Sequence, residues 1–147
     1  DMRETCNEKY DAIFNLFTSF GYFEDDADNY KTIKAIHNSL TETGFAVIDF
    51  MNVDYVLENL VADEVKSVDG IDFHIKRYLK DGHIYKEIDF EDKGEKFHFT
   101  EKVQALRLED FEKIMEEAGI YLLDIFGDYK LRKFFKTQSE RLIMIFK

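Results

Sequence analysis

The chain has 147 residues, of which 45% are hydrophobic, and its formal net charge is −11 at pH 7. That length is about one domain, and 15 Phe and 8 Tyr can fill a sizeable core. The negative charge would repel phosphate backbones, so we expect no nucleic-acid partner. No apolar run approaches the roughly 18–20 residues that cross a bilayer, and the single cysteine, Cys6, cannot form an internal disulfide. These features predict a cytoplasmic protein without a membrane partner.

The first third of the sequence predicts a strand, a helix and a second strand. Tyr10–Asn15 is short and aromatic, as a buried strand is. Acidic residues at 24–26 precede an apolar stripe with helical spacing, which places negative charge at the helix N-terminus. We expect Gly44 to end this helix and Phe45–Phe50 to form a second buried strand. Strand, helix and strand then make one crossover unit of a parallel sheet.

The middle of the sequence, residues 61–107, predicts an antiparallel β insert of about four strands. Its alternating stretches are separated by three pairs that favour tight hairpin turns, at 69–70, 81–82 and 93–94.

The last third returns to helix and strand. Helical spacing at 111–118 ends at Gly119, a residue type that often follows a helix C-terminus. Ile120–Phe126 and Arg141–Phe146 predict two more strands. The basic, aromatic segment 129–136 lies between them, and we read it either as a solvated loop or as a clamp on an anionic substrate.

Three segments together resemble the second half of a class I S-adenosylmethionine (SAM)-dependent methyltransferase. They are Asp-Met-Arg at 1–3, the run from Tyr10 to Tyr22, and Leu40–Asp49, although the family's usual proline is missing from the third. Glu116–Ile120 is similar to the family's passage into its sixth strand. The resemblance is greatest to the bacterial small-molecule group that includes sugar N-methyltransferases and glycine or sarcosine methyltransferase-like proteins.

This resemblance implies an α/β fold, namely a partial Rossmann-like methyltransferase fold with an inserted antiparallel sheet. Residues 1–60 and 108–147 would hold the fourth to seventh strands of the family's seven-stranded sheet, and residues 61–107 the insert. The family's glycine-rich turn, which lets the backbone approach the cofactor, is not found among the seven glycines. The chain also begins at Asp1 rather than at Met. We therefore expect a fragment of an enzyme, inactive by itself.

The resemblance also implies SAM as cofactor and a set of binding residues. The Asp1 carboxylate would accept a hydrogen bond from the adenine amino group, and the Met2 backbone would meet the ring edge. The alternative for both is a frayed terminus. Asn15, Leu16 and Phe17 follow a predicted parallel strand, where ligands of open α/β sheets bind. Ordinary strand termination is their alternative.

Methyl transfer from a sulfonium is a direct displacement, so the enzyme has to align the acceptor and exclude water. An amine acceptor must first lose a proton. Tyr22 and then Ser19 are the candidate catalytic residues, with packing as the alternative role for each. His37 falls on an apolar stripe and is read as a packed residue. We expect no metal site, because the other histidines lack metal-ligand spacing; they are His74, His83 and His98.

The predicted function is SAM-dependent methyl transfer to a small-molecule acceptor in the intact enzyme. The alternative is a non-catalytic binding or dimerisation module. In either case we expect a homo-oligomer, formed through an exposed edge of the Tyr10–Asn15 strand or through the insert.

Overall fold

The computed structural model describes residues 1–147, which form two compact units: 1–56 with 106–147, and 57–105. No helix is both long and apolar enough to cross a membrane. In chain order the elements are β1 (Tyr10–Asn15), α1 (Asp26–Asn38), β2 (Leu40–Met51), α2 (Val53–Glu58), β3 (Asp63–Val68), β4 (Ile71–Lys80), β5 (His83–Asp92), β6 (Glu95–Gln104), α3 (Leu108–Ala118), β7 (Leu122–Phe126) and β8 (Arg141–Phe146).

The first unit contains a four-stranded mixed sheet in the order β1-β2-β8-β7. β1 pairs with β2 in parallel, with Ala12 opposite Phe45 and Asn15 opposite Ile48. This confirms the predicted strand–helix–strand crossover. β8 runs antiparallel to β2, and β7 antiparallel to β8, so that β7 has the same direction as β1 and β2. β1 lies at one edge of the sheet, where it has a hydrogen-bonded neighbour on one side only.

The core of the first unit forms where apolar side chains of the helices meet the sheet. The Phe111 ring of α3 lies 5.3 Å, centroid to centroid, from both Phe20 and Phe50. Ile33 of α1 and Met115 of α3 are also buried. Removing such apolar surface from water is the main favourable contribution to folding.

Helix α1 ends before Gly44, so the prediction that Gly44 stops it is wrong. The helix begins after Asp25, whose carboxylate accepts a hydrogen bond from the Ala27 N–H at 2.9 Å, and it ends at Asn38. Gly44 lies inside β2, where a Cβ atom would come within 2.8 Å of the Tyr10 carbonyl oxygen. The glycine therefore permits close approach of two backbones rather than a helix stop.

The second unit contains the antiparallel sheet β3-β4-β5-β6, and each neighbouring pair is a hairpin. This confirms the predicted four-stranded antiparallel region. Both central residues of each turn have positive φ, as at Asp69 (51°) and Gly70 (82°), and the pattern recurs at 81–82 and 93–94. Two-residue turns of this kind match the twist of the strands that they join.

Candidate functional site

One edge of the first unit's sheet collects the ends of several elements. The carboxyl ends of β1, β2 and β7 meet there, together with the start of β8. The loop after β1 and the loop 127–140 begin at the same edge. Because ligands of open α/β sheets bind outside the carboxyl ends of the parallel strands, this carboxyl edge is the candidate site.

The loop after β1 begins with an uncommon turn. Phe17 and Thr18 are consecutive non-glycine residues, each with φ of 58°. Such left-handed geometry is unfavourable for most side chains, and most of all for a β-branched residue such as threonine. The Phe17 N–H donates to Asp49 Oδ2 at 2.9 Å, and the Thr18 N–H donates to the Asp49 carbonyl oxygen, also at 2.9 Å. Both backbone donors of the turn are therefore bonded to one residue of β2.

Asp49 is also the centre of a side-chain network. It is 1% exposed, and its Oδ1 accepts from Arg141 Nε at 2.7 Å, while its Oδ2 accepts from the Tyr129 hydroxyl at 3.0 Å. Partial desolvation of the hydroxyl, followed by this hydrogen bond to Asp49, raises the pKa of Tyr129, although most of the residue is exposed. Arg141 Nη2 also donates to Thr18 Oγ1 at 3.1 Å. We call Asp49, Tyr129 and Arg141 the Asp49 cluster.

A cavity of about 350 Å³ lies along β1. Asn15, which is 8% exposed, lies against it, and its Nδ2 donates to Met2 Sδ at 3.4 Å. The Asn15 Oδ1 atom is buried and has no hydrogen-bond donor. The structure thus brings three of the predicted cofactor residues to one cavity; they are Asp1, Met2 and Asn15.

The Asp1 carboxylate is already bonded within the protein. Arg3 Nε donates to Asp1 Oδ1 at 3.0 Å, and Arg3 Nη1 donates to Asp28 Oδ2 at 2.8 Å. Hydrogen bonds from Lys31, and next from Arg3, lower the pKa of Asp28. The Asp1 carboxylate also accepts from the Arg3 backbone N–H at 2.9 Å and from Arg3 Nη2. With Nε, these donors of Arg3 occupy both carboxylate oxygens, so a ligand donor would have to share or replace one of them.

The remaining predicted site residues lie in the loop after β1. Ser19 Oγ donates to the Leu16 carbonyl oxygen at 2.6 Å, so its hydroxyl proton closes the turn. Phe17 is 75% exposed and Tyr22 is 51% exposed. These positions share the carboxyl edge with the Asp49 cluster. The assigned catalytic and cofactor roles stay predictions.

The histidines lie elsewhere. His37 is half-buried near the C-terminus of α1, at the opposite edge of the sheet, where burial lowers its pKa. On the second unit, His98 Nδ1 lies 2.7 Å from Asp89 Oδ1. No group of three or more His, Cys, Asp or Glu side chains could hold a metal ion. None of the histidines was assigned to the site.

The sequence pattern alone does not identify the Asp49 cluster. Asp49 was placed inside a buried strand, Tyr129 in a basic segment and Arg141 at the start of the last strand. One signal was available: a carboxylate inside the apolar run Phe45–Phe50 needs a buried partner. The sequence does not show which cationic side chain is this partner. The pairing of β2 with β8 decides it, because Phe50 lies opposite Leu142 and Arg141 therefore lies beside this end of β2.

No model of a protein family matches the chain. Among curated proteins, it is 27% identical over 124 residues to a glycine/sarcosine/dimethylglycine N-methyltransferase of Actinopolyspora halophila. It is 26% identical over 126 residues to a glycine/sarcosine N-methyltransferase of Halorhodospira halochloris. Each match covers 83% of this chain but only 21% and 45% of the respective relative, so the chain spans less than half the length of these curated proteins.

Solved methyltransferase structures superpose on nearly the whole of this chain. A SAM-dependent methyltransferase from Clostridium acetobutylicum superposes with a TM-score of 0.87 at 25% identity, covering 100% of this chain and 62% of the other. The SAM-bound amino pentose methyltransferase CalS10 from Micromonospora echinaspora superposes with a TM-score of 0.71 at 15% identity, covering 99% and 61%. The expected resemblance to class I SAM-dependent methyltransferases and the expected partial fold are confirmed.

Proposed function

We propose that this chain, which has part of the class I SAM-dependent methyltransferase fold, is the C-terminal half of an enzyme that methylates a small molecule. Residues 1–60 and 108–147 would form half of the methyltransferase core, with 61–107 as an insert. The observation that carries the proposal is the superposition on the Clostridium acetobutylicum enzyme, which takes in all of this chain and 62% of that one. The part of a full-length enzyme that this chain does not cover would contain the glycine-rich turn.

The cofactor would occupy the cavity along β1. Asp1 would accept a hydrogen bond from the adenine amino group, and the Met2 backbone would meet the ring edge. Asn15 supports this assignment, because it lines the same cavity as Asp1 and Met2. Leu16 and Phe17 would close the site from the carboxyl edge. The bound cofactor supplies an electrophilic methyl group on its sulfonium sulfur.

Catalysis by this chain's own residues would consist of positioning the acceptor and excluding water. Tyr22 is the first candidate to orient the acceptor or to remove its proton. Ser19 would act through its lone pairs, since its proton is donated to Leu16. The curated relatives are named as N-methyltransferases of glycine and sarcosine, which supports an amine as the acceptor class.

The proposal is tested with a full-length protein that contains this chain. It would be incubated with SAM and a panel of small amines, including amino acids and amino sugars, and methylated products would be measured by mass spectrometry. Methylation of an amine is expected, with a lower kcat for Tyr22→Phe. Binding of SAM without methylation of any amine would contradict the acceptor class, and no binding of SAM would contradict the enzyme.

A non-catalytic dimerisation module is the second candidate. It is favoured by the single hydrogen-bonded neighbour of β1 and by exposed apolar residues on the second unit's sheet, such as Val68 and Phe99. Both surfaces fit the proposed homo-oligomer. A stable dimer that binds no SAM in its full-length form would favour this candidate over the enzyme.

A further inference from the structure

The turn at Phe17 and Thr18 needs an energetic explanation. Neither residue is glycine, yet both have φ of 58°, and the Phe17 ring is 75% exposed, so packing of that ring does not hold the turn. Left-handed backbone in consecutive non-glycine residues persists only where surrounding contacts over-determine it, and such outliers cluster at functional sites.

The Asp49 cluster supplies those contacts. The Asp49 side chain is 2% exposed, and both of its oxygens are occupied: Oδ1 by Arg141, and Oδ2 by the Phe17 N–H and the Tyr129 hydroxyl. The Asp49 carbonyl oxygen takes the Thr18 N–H. Arg141 closes the arrangement by donating to Thr18 Oγ1. A buried carboxylate with its cation and two further donors is held in one geometry, and so is the turn bonded to it.

We infer that Asp49, Tyr129 and Arg141 are positioning residues for the methyl-transfer site, because they hold the Phe17–Thr18 turn in its left-handed conformation. This inference rests on the proposed function. Tyr129 comes from the loop between β7 and β8, so its hydroxyl links that loop, through Asp49 of β2, to the loop after β1. Loosening the cluster would let Phe17 move, and small displacements of positioned groups strongly reduce rates.

The first measurement does not depend on turnover. In the full-length protein, hydrogen–deuterium exchange of the peptide containing Phe17 and Thr18 is compared between the wild type and Tyr129→Phe. The variant removes one hydroxyl from a side chain that is 62% exposed, so the fold should be retained. Exchange is expected to rise about tenfold, the effect of one lost hydrogen bond. Tyr121→Phe, at a 75% exposed tyrosine next to the opposite end of β7, is the matched control and should leave exchange unchanged.

The second measurement is kinetic and includes a rescue. Asp49→Asn and Tyr129→Phe should lower kcat about tenfold or more, with a smaller change in the KM for SAM. Adding Thr18→Asn to Asp49→Asn should recover part of the lost kcat, because asparagine adopts left-handed geometry more readily than threonine. The free energy of unfolding of both variants, measured by urea denaturation, separates this local effect from a general change in folding. An inactive wild type would contradict the proposed function and leave the exchange result to decide the inference. Unchanged exchange, or unchanged kcat in both variants of an active enzyme, would overturn the inference.

Discussion

Single residues at the carboxyl edge have both structural and proposed chemical roles. Asn15 joins the end of β1 to Met2 and still has an unpaired buried oxygen. Asp1 is bonded by Arg3, which also pairs with Asp28 of α1. Arg3 thus links Asp1 to helix α1, while the roles proposed for Asp1 and Met2 stay predictions. Their proposed contacts with adenine can be tested separately from the fold.

At the residue scale, we predict that Asp1→Ala weakens SAM binding in a full-length protein that contains this chain. Loss of one hydrogen bond to the adenine amino group, about 1.5 kcal/mol, corresponds to about a tenfold higher dissociation constant. Isothermal titration calorimetry measures the change. Asp1→Asn keeps an acceptor oxygen and should retain most of the affinity. If Asp1→Ala binds SAM as tightly as the wild type, adenine is recognised elsewhere.

At the scale of elements, sequence pattern predicted most of the fold, because hairpin turns and strand runs are local signals. β8 was predicted with its observed bounds, and the three glycine turns were identified. β2 begins at Leu40, earlier than predicted, because the sequence pattern predicted a helix stop at Gly44 although this residue lies inside the strand. The close approach of Gly44 to Tyr10 is visible only in the tertiary structure. The short helix α2 was not predicted, because six residues carry too little periodic pattern. The Asp49 cluster was missed because local sequence patterns do not report distant contacts: Tyr129 is 80 residues and Arg141 is 92 residues from Asp49 in the sequence.

The hairpins of the second unit lead to a prediction about their turns. Gly82 has φ of 73° and open space around its Cβ position, so Gly82→Ala meets no clash but does meet an unfavourable conformation. We expect a loss of about 1 kcal/mol in the free energy of unfolding, measured by urea denaturation. Gly82→Asn should cost less, because asparagine tolerates left-handed geometry. Equal stability of Gly82→Ala and the wild type would show that the turn changes its conformation.

At the scale of the whole molecule, the chain contains one side of the proposed cofactor site. The cavity along β1 is lined by the proposed adenine-binding residues, whereas the family's glycine-rich turn does not occur in the sequence. We predict that the 147-residue chain alone binds SAM weakly or not at all, since the groups that contact the ribose and the methionyl carboxylate would be supplied by another segment. Calorimetry with SAM is the measurement. A micromolar dissociation constant for the chain alone would mean that this cavity is sufficient.

The edge of β1 carries the last prediction, which is self-association of the isolated chain. β1 pairs only with β2, and two of its apolar side chains are exposed, Tyr10 at 40% and Phe14 at 59%. Unpaired backbone groups on an apolar edge are a template for pairing with another chain. If two copies meet on a two-fold axis, their β1 strands must run antiparallel, with Ala12, Ile13 and Phe14 near the centre of the contact.

Sedimentation velocity over a range of concentrations measures this association. The wild-type chain should form dimers, and Phe14→Lys should shift it towards monomer, because a charge on an edge strand opposes pairing. Leu123→Lys is the matched control: Leu123 is 52% exposed on β7, the strand at the other edge of the same sheet, and its substitution should leave the dimer intact. If Phe14→Lys remains dimeric, the contact lies on the antiparallel sheet β3–β6. A chain that is monomeric at every concentration would contradict self-association through either surface, the β1 edge or the antiparallel sheet.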